Sequence, residues 1–258
     1  MAGPVVAGKS DHWGSRFCFI MAAVGSSVGL GNMWRFPYIA GEMGGSAFIL
    51  VYLGCILLFG LPVLMAEYAL GRYGQRSSIA SIRKIVTEEK KPIAWVGMGW
   101  LGAIASLLLF SFYIVISAWV FDFIPQAFMG DFSGFDAAAS GANFDDTTGN
   151  KLEIFAYMAG FLALNVIIVA RGVHGGIEKA AEILMPAFFI MLLGMVAFAV
   201  FTGDAAATVE FLLTPDFSKM GFETFMAAVG QAFFSLSVGS CVMFTYGAYL
   251  TRDTNIPK

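Results

Sequence analysis

Six stretches of the sequence contain no Asp, Glu, Lys or Arg, and they restrict the fold more than any other feature. They cover residues 17–34, 43–66, 92–121, 154–170, 183–203 and 224–251. Each is close to or longer than the ~20 residues with which a helix crosses a bilayer. Runs such as FILVYLGCILLFGLPVLMA lack the alternation of membrane β-barrel strands. Only 13% of the residues are charged, whereas soluble domains average roughly 25%. The sequence therefore predicts an all-α integral membrane protein that interacts with the lipid bilayer.

The distribution of charge between these stretches predicts the orientation. Basic residues follow the second stretch: Arg72, Arg76, Arg83, Lys84, Lys90 and Lys91. The segment 128–150 has no Lys or Arg and carries Asp131, Asp136, Asp145 and Asp146. Because basic loops stay in the cytoplasm, we expect a multi-pass protein of the cytoplasmic membrane with both chain termini on the cytoplasmic side. The Gly, Ser, Asp and Asn content of segment 128–150 predicts an irregular external loop.

The first apolar stretch is interrupted by the sequence AVGSSVGLGNMWRFP. An unwound segment exposes backbone groups that cost several kcal/mol each in hydrocarbon, so it is tolerated where it lines a cavity. Carbonyl groups around Gly25 and Val28 could face a cation, and N–H groups near Leu30 and Gly31 could face an anion. Asn32 adds an amide oxygen, and oxygen ligands suit hard cations. The interruption predicts a site for an ion such as Na⁺ beside a carboxylate.

Close helix packing is an alternative explanation, because Gly25-x-x-x-Gly29 also fits the small-residue contacts of membrane helices. A second interruption favours a site. Residues 229–241, VGQAFFSLSVGSC, contain Gly230, Gly239 and several serines within an apolar stretch. Two interrupted helices at corresponding positions are typical of inverted-repeat transporters.

Five motifs then resemble the neurotransmitter:sodium symporter family, bacterial type, which has the leucine-transporter fold. In chain order they are GSSVGLGNMWRFPY, MAEYALGRYG, GGIEKAAEILMP, LLTPDFSKM and GQAFFSLS. The resemblance implies the first five-helix repeat of the inverted-repeat transporter fold plus helix 6, with helices 1 and 6 unwound at the midplane.

The same resemblance divides the chain into four parts. Residues 1–13 are a cytoplasmic tail, 14–203 hold helices 1–5, 204–250 an external loop and helix 6, and 251–258 a cytoplasmic end. The remainder of the transporter is absent from this chain, which we expect to be a truncated or incompletely recorded N-terminal half that requires the C-terminal half, helices 7 onward. A split transporter with a separate partner chain is the alternative.

By the same resemblance, two kinds of ligand meet at the helix breaks. Sodium ligands are implied at Gly25, Ser27, Val28, Asn32 and Ser235. An amino-acid substrate is implied at Ser27, Gly29, Leu30, Gly31, Leu109, Tyr113, Phe234, Ser235, Ser237 and Ser240. Ser240 stands where relatives often have Phe or Met, which predicts room for a large hydrophobic or aromatic side chain. Ser240 could instead be a small packing residue, and Tyr113 could belong to an interfacial aromatic cluster.

The resemblance also implies gating and chloride positions. The gating residues are Trp13, Arg16, Arg35, Glu67, Gly176 and Pro186. Glu67 could alternatively be a charge that reaches the membrane surface, and Pro186 could produce an ordinary kink. Three positions match those used for chloride in animal members: Tyr52, Gln231 and Ser235. Chloride dependence stays open, because the residue that decides it lies on helix 7.

Together these features predict sodium-coupled symport of amino acids by alternating access. A non-transporting or channel-like half-transporter scaffold that acts with a partner chain is the alternative. No His-Glu-x-x-His or Gly-x-Ser-x-Gly motif occurs, so we expect neither an enzyme nor a nucleic-acid binding protein. Cys18, Cys55 and Cys241 all lie in apolar stretches, which predicts small core residues and no disulfide framework.

Overall fold

The computed structural model describes residues 12–29 and 31–253, and it divides into two units. The described residues up to 103, together with those from 173 onward, form the first unit, and residues 104–172 form the second. The described α-helices are α1 (Arg16–Ser27), α2 (Phe36–Glu42), α3 (Ser46–Cys55), α4 (Leu61–Gly74), α5 (Ser78–Glu88), α6 (Val96–Met129), α7 (Ala137–Gly149), α8 (Lys151–Ala170), α9 (Lys179–Thr202), α10 (Ala205–Leu213), α11 (Phe222–Ser235) and α12 (Val242–Ala248). Short π-helical turns cover Gly31–Arg35, Ile56–Gly60 and Val173–Glu178, and 3₁₀ turns cover Ile93–Trp95 and Phe217–Lys219.

The first apolar stretch is a broken helix, as predicted. Ser15 caps the start of α1 by accepting the backbone N–H of Cys18 at 3.1 Å. After α1 ends at Ser27, the π turn Gly31–Arg35 leads into α2, and the two helical pieces are bent by 53°. Glycines flank the interruption, and π turns of this kind are frequent at functional sites.

The last apolar stretch is also divided. Between α11 and α12, positive φ angles occur at Ser237 (52°), Gly239 (85°) and Cys241 (59°). Left-handed backbone is uncommon for residues with a Cβ, and it ends a right-handed helix. The expected interruption of helix 6 therefore lies after Ser235.

Four described spans are long and apolar enough to cross a membrane, and the bent pair of α1 and α2 adds a fifth. The four spans are Ser46–Gly74, Ile93–Met129, Lys151–Ala170 and Val173–Thr202. Together with the divided pair of α11 and α12, they account for the six apolar stretches of the sequence.

The broken helix 6 packs against the second span of the first unit. Its first half, α11, contacts α3, and its second half, α12, contacts α4. The core between α11 and α3 contains the fully buried Phe48, Ala228 and Ala232. The crossing of α12 and α4 is closer, since a Cβ on Gly71 would overlap the carbonyl oxygen of Phe244. Glycine at this position lets the two backbones touch.

One expectation for segment 128–150 is wrong. Residues 137–149 form helix α7 and not an irregular loop. Asp136 caps this helix by accepting the N–H of Ala139 at 2.7 Å, and the hydroxyl of Thr147 donates to Asp122 at 2.9 Å. The N-cap and the three alanines that follow it favour helix formation more than the Gly, Ser and Asn residues oppose it.

Candidate functional site

The side chain of Asn32 connects the two broken helices. Its Nδ2 donates to the carbonyl oxygen of Ser27 at 2.7 Å, and its Oδ1 accepts the hydroxyl of Ser235 at 2.6 Å. The structure therefore brings together three of the residues predicted as sodium ligands. If the amide and hydroxyl oxygens are to face one cation, the hydroxyl of Ser235 has to turn its proton away from Asn32.

Gln231 completes this cluster. It is fully buried, and its Nε2 donates to Asn32 Oδ1 at 3.2 Å, to the carbonyl of Gly31 at 3.3 Å and to Ser235 Oγ at 3.3 Å. No described residue gives Gln231 Oε1 a hydrogen-bond partner. An amide oxygen binds cations and hydrogen-bond donors but not anions, so a chloride would need Nε2 to leave these acceptors.

Tyr52, the remaining residue predicted for chloride, lies in the apolar core beside this cluster. Its ring is 4.9 Å from that of Phe36 and 6.4 Å from that of Phe48, measured between centroids. These aromatic contacts hold Tyr52 on α3, the helix that packs against α11.

Two further contacts link the interruptions. Gly31 is buried against the ring of Phe234, and a Cβ at this position would overlap that ring. The hydroxyl of Ser237 donates to the carbonyl of Ser26 at 2.8 Å, and that of Ser240 donates to the carbonyl of Ser237 at 3.2 Å. No role was predicted for Ser26, whose only signal in the sequence is its position between Gly25 and Ser27.

The other residues predicted around the first break have mixed outcomes. A Cβ on Gly25 would lie 2.9 Å from the sulfur of Met185, so this glycine packs closely against the neighbouring helix, and its carbonyl stays a predicted sodium ligand. The carbonyl of Gly29 accepts the N–H of Asn32 at 2.9 Å. Val28 donates its N–H to the carbonyl of Val24 at 2.8 Å. Leu30 lies outside the described residues.

Leu109 and Tyr113 belong to the second unit, on α6, and both are half-buried there. The ring of Tyr113 contacts that of Phe112, with centroids 6.0 Å apart.

Glu67 contacts the second interruption directly. Its Oε1 accepts the N–H of Gly239 at 2.6 Å, and its Oε2 accepts the N–H of Phe244 at 3.2 Å. These amides begin a helix or lie in an unwound segment, so neither has the carbonyl partner of a helix interior. The carboxylate supplies the missing acceptors, and the free backbone groups of helix 6 are stabilised from α4.

The gating residues predicted near the start of the chain differ from one another in their surroundings. Trp13 Nε1 donates to the carbonyl of Tyr246 at 3.1 Å, and its ring contacts those of Tyr246 and Phe19 with centroids 5.4 and 5.8 Å away. Trp13 therefore joins the chain start to α12. Arg16 and Arg35 are both exposed.

Gly176 and Pro186 lie near the start of the last long span. Gly176 is buried in the π turn Val173–Glu178, and Pro186 lies inside α9, which continues to Thr202. The described segment is helical throughout, with its irregular turn at the glycine.

Comparisons with known proteins show to which family the chain belongs. The sequence matches the Sodium:neurotransmitter symporter family over residues 10–138 and 142–258. The uncharacterized sodium-dependent transporter YhdH of Bacillus subtilis (strain 168) is 39% identical over 250 residues, which cover 97% of this chain and 54% of that protein. An uncharacterized sodium-dependent transporter of Haemophilus influenzae is 35% identical over 254 residues, which cover 96% of this chain and 56% of that protein.

A solved structure is similar as well. The crystal structure of MhsT in complex with L-phenylalanine gives a TM-score of 0.86 at 38% identity, and the match covers 97% of this chain and 56% of that one. The chain spans about half the length of the curated relatives it matches. These relatives are transporters and not enzymes, as the sequence predicts. The chain is a multi-pass membrane protein and belongs to the sodium:neurotransmitter symporter family.

Proposed function

We propose that this chain forms the N-terminal half of a transporter that couples the uptake of amino acids to sodium by alternating access. The observation that carries the proposal is the polar cluster of Ser27, Asn32 and Ser235, in which two interrupted helices meet. Polar side chains inside membrane helices often mark substrate and ion sites. The names of the bacterial relatives, sodium-dependent transporters, support sodium as the coupling ion. Transport then requires the helices that correspond to the rest of the relatives' length.

Large hydrophobic or aromatic amino acids are the proposed substrates. MhsT, which is 38% identical, was crystallised with L-phenylalanine. In our proposal the substrate carboxylate lies at the N-terminal end of the helical segment that begins at Gly31, where the positive end of the helix dipole favours an anion. It lies beside the sodium ligands, so each of the two ligands raises the affinity of the other by the same factor. Phe234, which packs on Gly31, covers the substrate. Chloride binding near Gln231 is left to measurement.

Uptake into proteoliposomes tests this function. In vesicles that contain the full-length protein, an inward sodium gradient is expected to drive accumulation of labelled L-phenylalanine, and replacement of sodium by potassium should stop it. Unlabelled L-tryptophan should compete at least about tenfold better than L-alanine, since an apolar pocket gains roughly 0.8 kcal/mol for each CH₂ that it buries. Uptake that is the same in potassium would contradict sodium coupling, and equal competition would contradict the substrate class.

We also propose that segment 128–150 is external and that the loop after α4 is cytoplasmic, on the basis of their opposite charge. A cysteine introduced at Ser140 on α7 should react with an impermeant thiol reagent in intact cells. A cysteine at Thr87 on α5 should react only after the membrane is permeabilised. Both positions are exposed, whereas the nearby Ser81 is fully buried and would not react on either side. The opposite labelling pattern would reverse the orientation.

A further inference from the structure

A second polar cluster joins α1 to the start of the last long span. Cys18 lies ten residues before Val28, so it is roughly 15 Å from the first helix break along the chain. Its thiol donates to Glu182 Oε1 at 2.8 Å and accepts the hydroxyl of Ser15 at 2.9 Å. The thiol sulfur of Cys18 and one carboxylate oxygen each from Glu178 and Glu182 lie within 4.8 Å of one another.

The acidic side chains are held in place on one helix face. His174, Glu178 and Glu182 follow at intervals of four residues, which puts them on the same side of a helix. Glu178 is only 3% exposed. Its Oε2 accepts the N–H of Gly14 at 3.1 Å and lies 2.9 Å from Nδ1 of His174. The carboxylate of Glu178 is thus fixed from two directions, as metal-ligating carboxylates usually are.

The donor atoms of this cluster suit a metal ion. Two carboxylates converge on a thiol, and both Glu178 and Cys18 are buried. Cysteine sulfur and carboxylate oxygen are both common ligands of zinc in proteins. We propose that Cys18, Glu178 and Glu182 form a binding site for Zn²⁺ or a similar thiophilic divalent ion. Na⁺, Mg²⁺ and Ca²⁺ do not suit it, because hard cations take oxygen ligands.

The geometry needs only a small adjustment. In a tetrahedral zinc site, bond lengths of about 2.3 Å to sulfur and 2.1 Å to oxygen place the two ligand atoms roughly 3.6 Å apart. Sγ of Cys18 and Oε1 of Glu182 are now 2.8 Å apart, so they would separate by about 0.8 Å on metal binding. Glu182 is exposed and is therefore free to move. The ion replaces the thiol proton, which passes to solvent, and water takes the fourth position.

This inference does not rest on the proposed transport activity, and its test reads metal binding directly. Cd²⁺, which replaces zinc at thiolate sites, is titrated into the purified protein while cadmium–thiolate absorption in the ultraviolet is followed. We expect one ion per chain and competition by Zn²⁺ but not by excess Mg²⁺. Absence of the absorption would overturn the proposal.

Variants assign the ligands. Cys18→Ser should remove the absorption, and the matched controls Cys55→Ser and Cys241→Ser should keep it. Glu182→Gln, a substitution of similar size at an exposed position, should weaken Cd²⁺ binding at least about tenfold, and His174→Ala should weaken it by about tenfold. Size-exclusion chromatography checks that each variant is folded. Absorption that persists in Cys18→Ser, or unchanged affinity in Glu182→Gln, would show that the ion binds elsewhere. If Cys18→Ser does not fold, the result for Glu182→Gln decides.

Discussion

Replacement of Asn32 by leucine is expected to abolish the stimulation of substrate binding by sodium. The amide of Asn32 holds the carbonyl of Ser27 and the hydroxyl of Ser235 together, at 2.7 and 2.6 Å. Leucine has a similar size but offers no oxygen to a cation, so the proposed sodium site loses one ligand and the arrangement of two others. Because sodium and substrate bind cooperatively, we expect the affinity for labelled L-phenylalanine in sodium to fall at least about tenfold, to the level measured in potassium.

The same substitution elsewhere provides a matched control. Asn165 on α8 donates its Nδ2 to the carbonyl of Phe161 at 2.8 Å, a bond within its own helix. Asn165→Leu should leave sodium stimulation intact. Asn32→Leu leaves buried partners without a hydrogen bond, at a cost of roughly 1–3 kcal/mol for each, so both variants are first checked for monodispersity. A folded Asn32→Leu variant that still responds fully to sodium would assign Asn32 to helix packing.

A methyl group at Gly71 is expected to destabilise the folded protein strongly. The Cβ of Gly71→Ala would overlap the carbonyl oxygen of Phe244 and lie 3.0 Å from the backbone nitrogen of Ala248. These are backbone atoms of α12, which cannot turn aside as a side chain can. Overpacking typically costs 1–3 kcal/mol, and we expect a value of about 3 kcal/mol because α4 and α12 have to separate.

Gly54→Ala on α3 is the control for this substitution, because its Cβ would meet no atom within 4 Å. There the smaller entropy of the unfolded chain should stabilise the protein slightly, by roughly 0.4–1 kcal/mol. Thermal unfolding in detergent micelles should therefore shift down for Gly71→Ala and remain equal or rise for Gly54→Ala. Equal shifts in both variants would mean that α4 and α12 do not touch as closely as described.

Much of the fold could be predicted because the bilayer restricts it so severely. The apolar stretches and the glycine-rich interruption after Ser27 follow from hydrogen-bond satisfaction in lipid. The prediction for residues 137–149 was wrong because this segment is not restricted in the same way. Its helix cap and alanines favour a helix, whereas its Gly, Ser and Asn residues favour a loop. There the cap at Asp136 and the contact between Thr147 and Asp122 are individual interactions that composition does not reveal.

The candidate site was predictable to a different extent at each residue. Asn32 could be proposed from its position beside an interruption. The contact of Gly25 with Met185 could not be predicted, because it depends on a helix that is far away in the sequence. The same holds for Cys18 and Glu182, which are 164 residues apart. The spacing of His174, Glu178 and Glu182 was the one signal available for that cluster.

The pairing of α11 with α3 and of α12 with α4 has a mechanical consequence. Both α3 and α4 belong to one continuous span, Ser46–Gly74, so a single span supports the two halves of the broken helix. Leu236, the first residue after α11, lies against Gly60 at the end of the π turn Ile56–Gly60. The π turn, where the long span departs from regular α-helix, therefore lies at the same level as the interruption of helix 6. A change in the angle between α11 and α12 therefore requires one of two movements. Either the span Ser46–Gly74 bends at this π turn, or α12 slides along α4 at the close contact of Gly71.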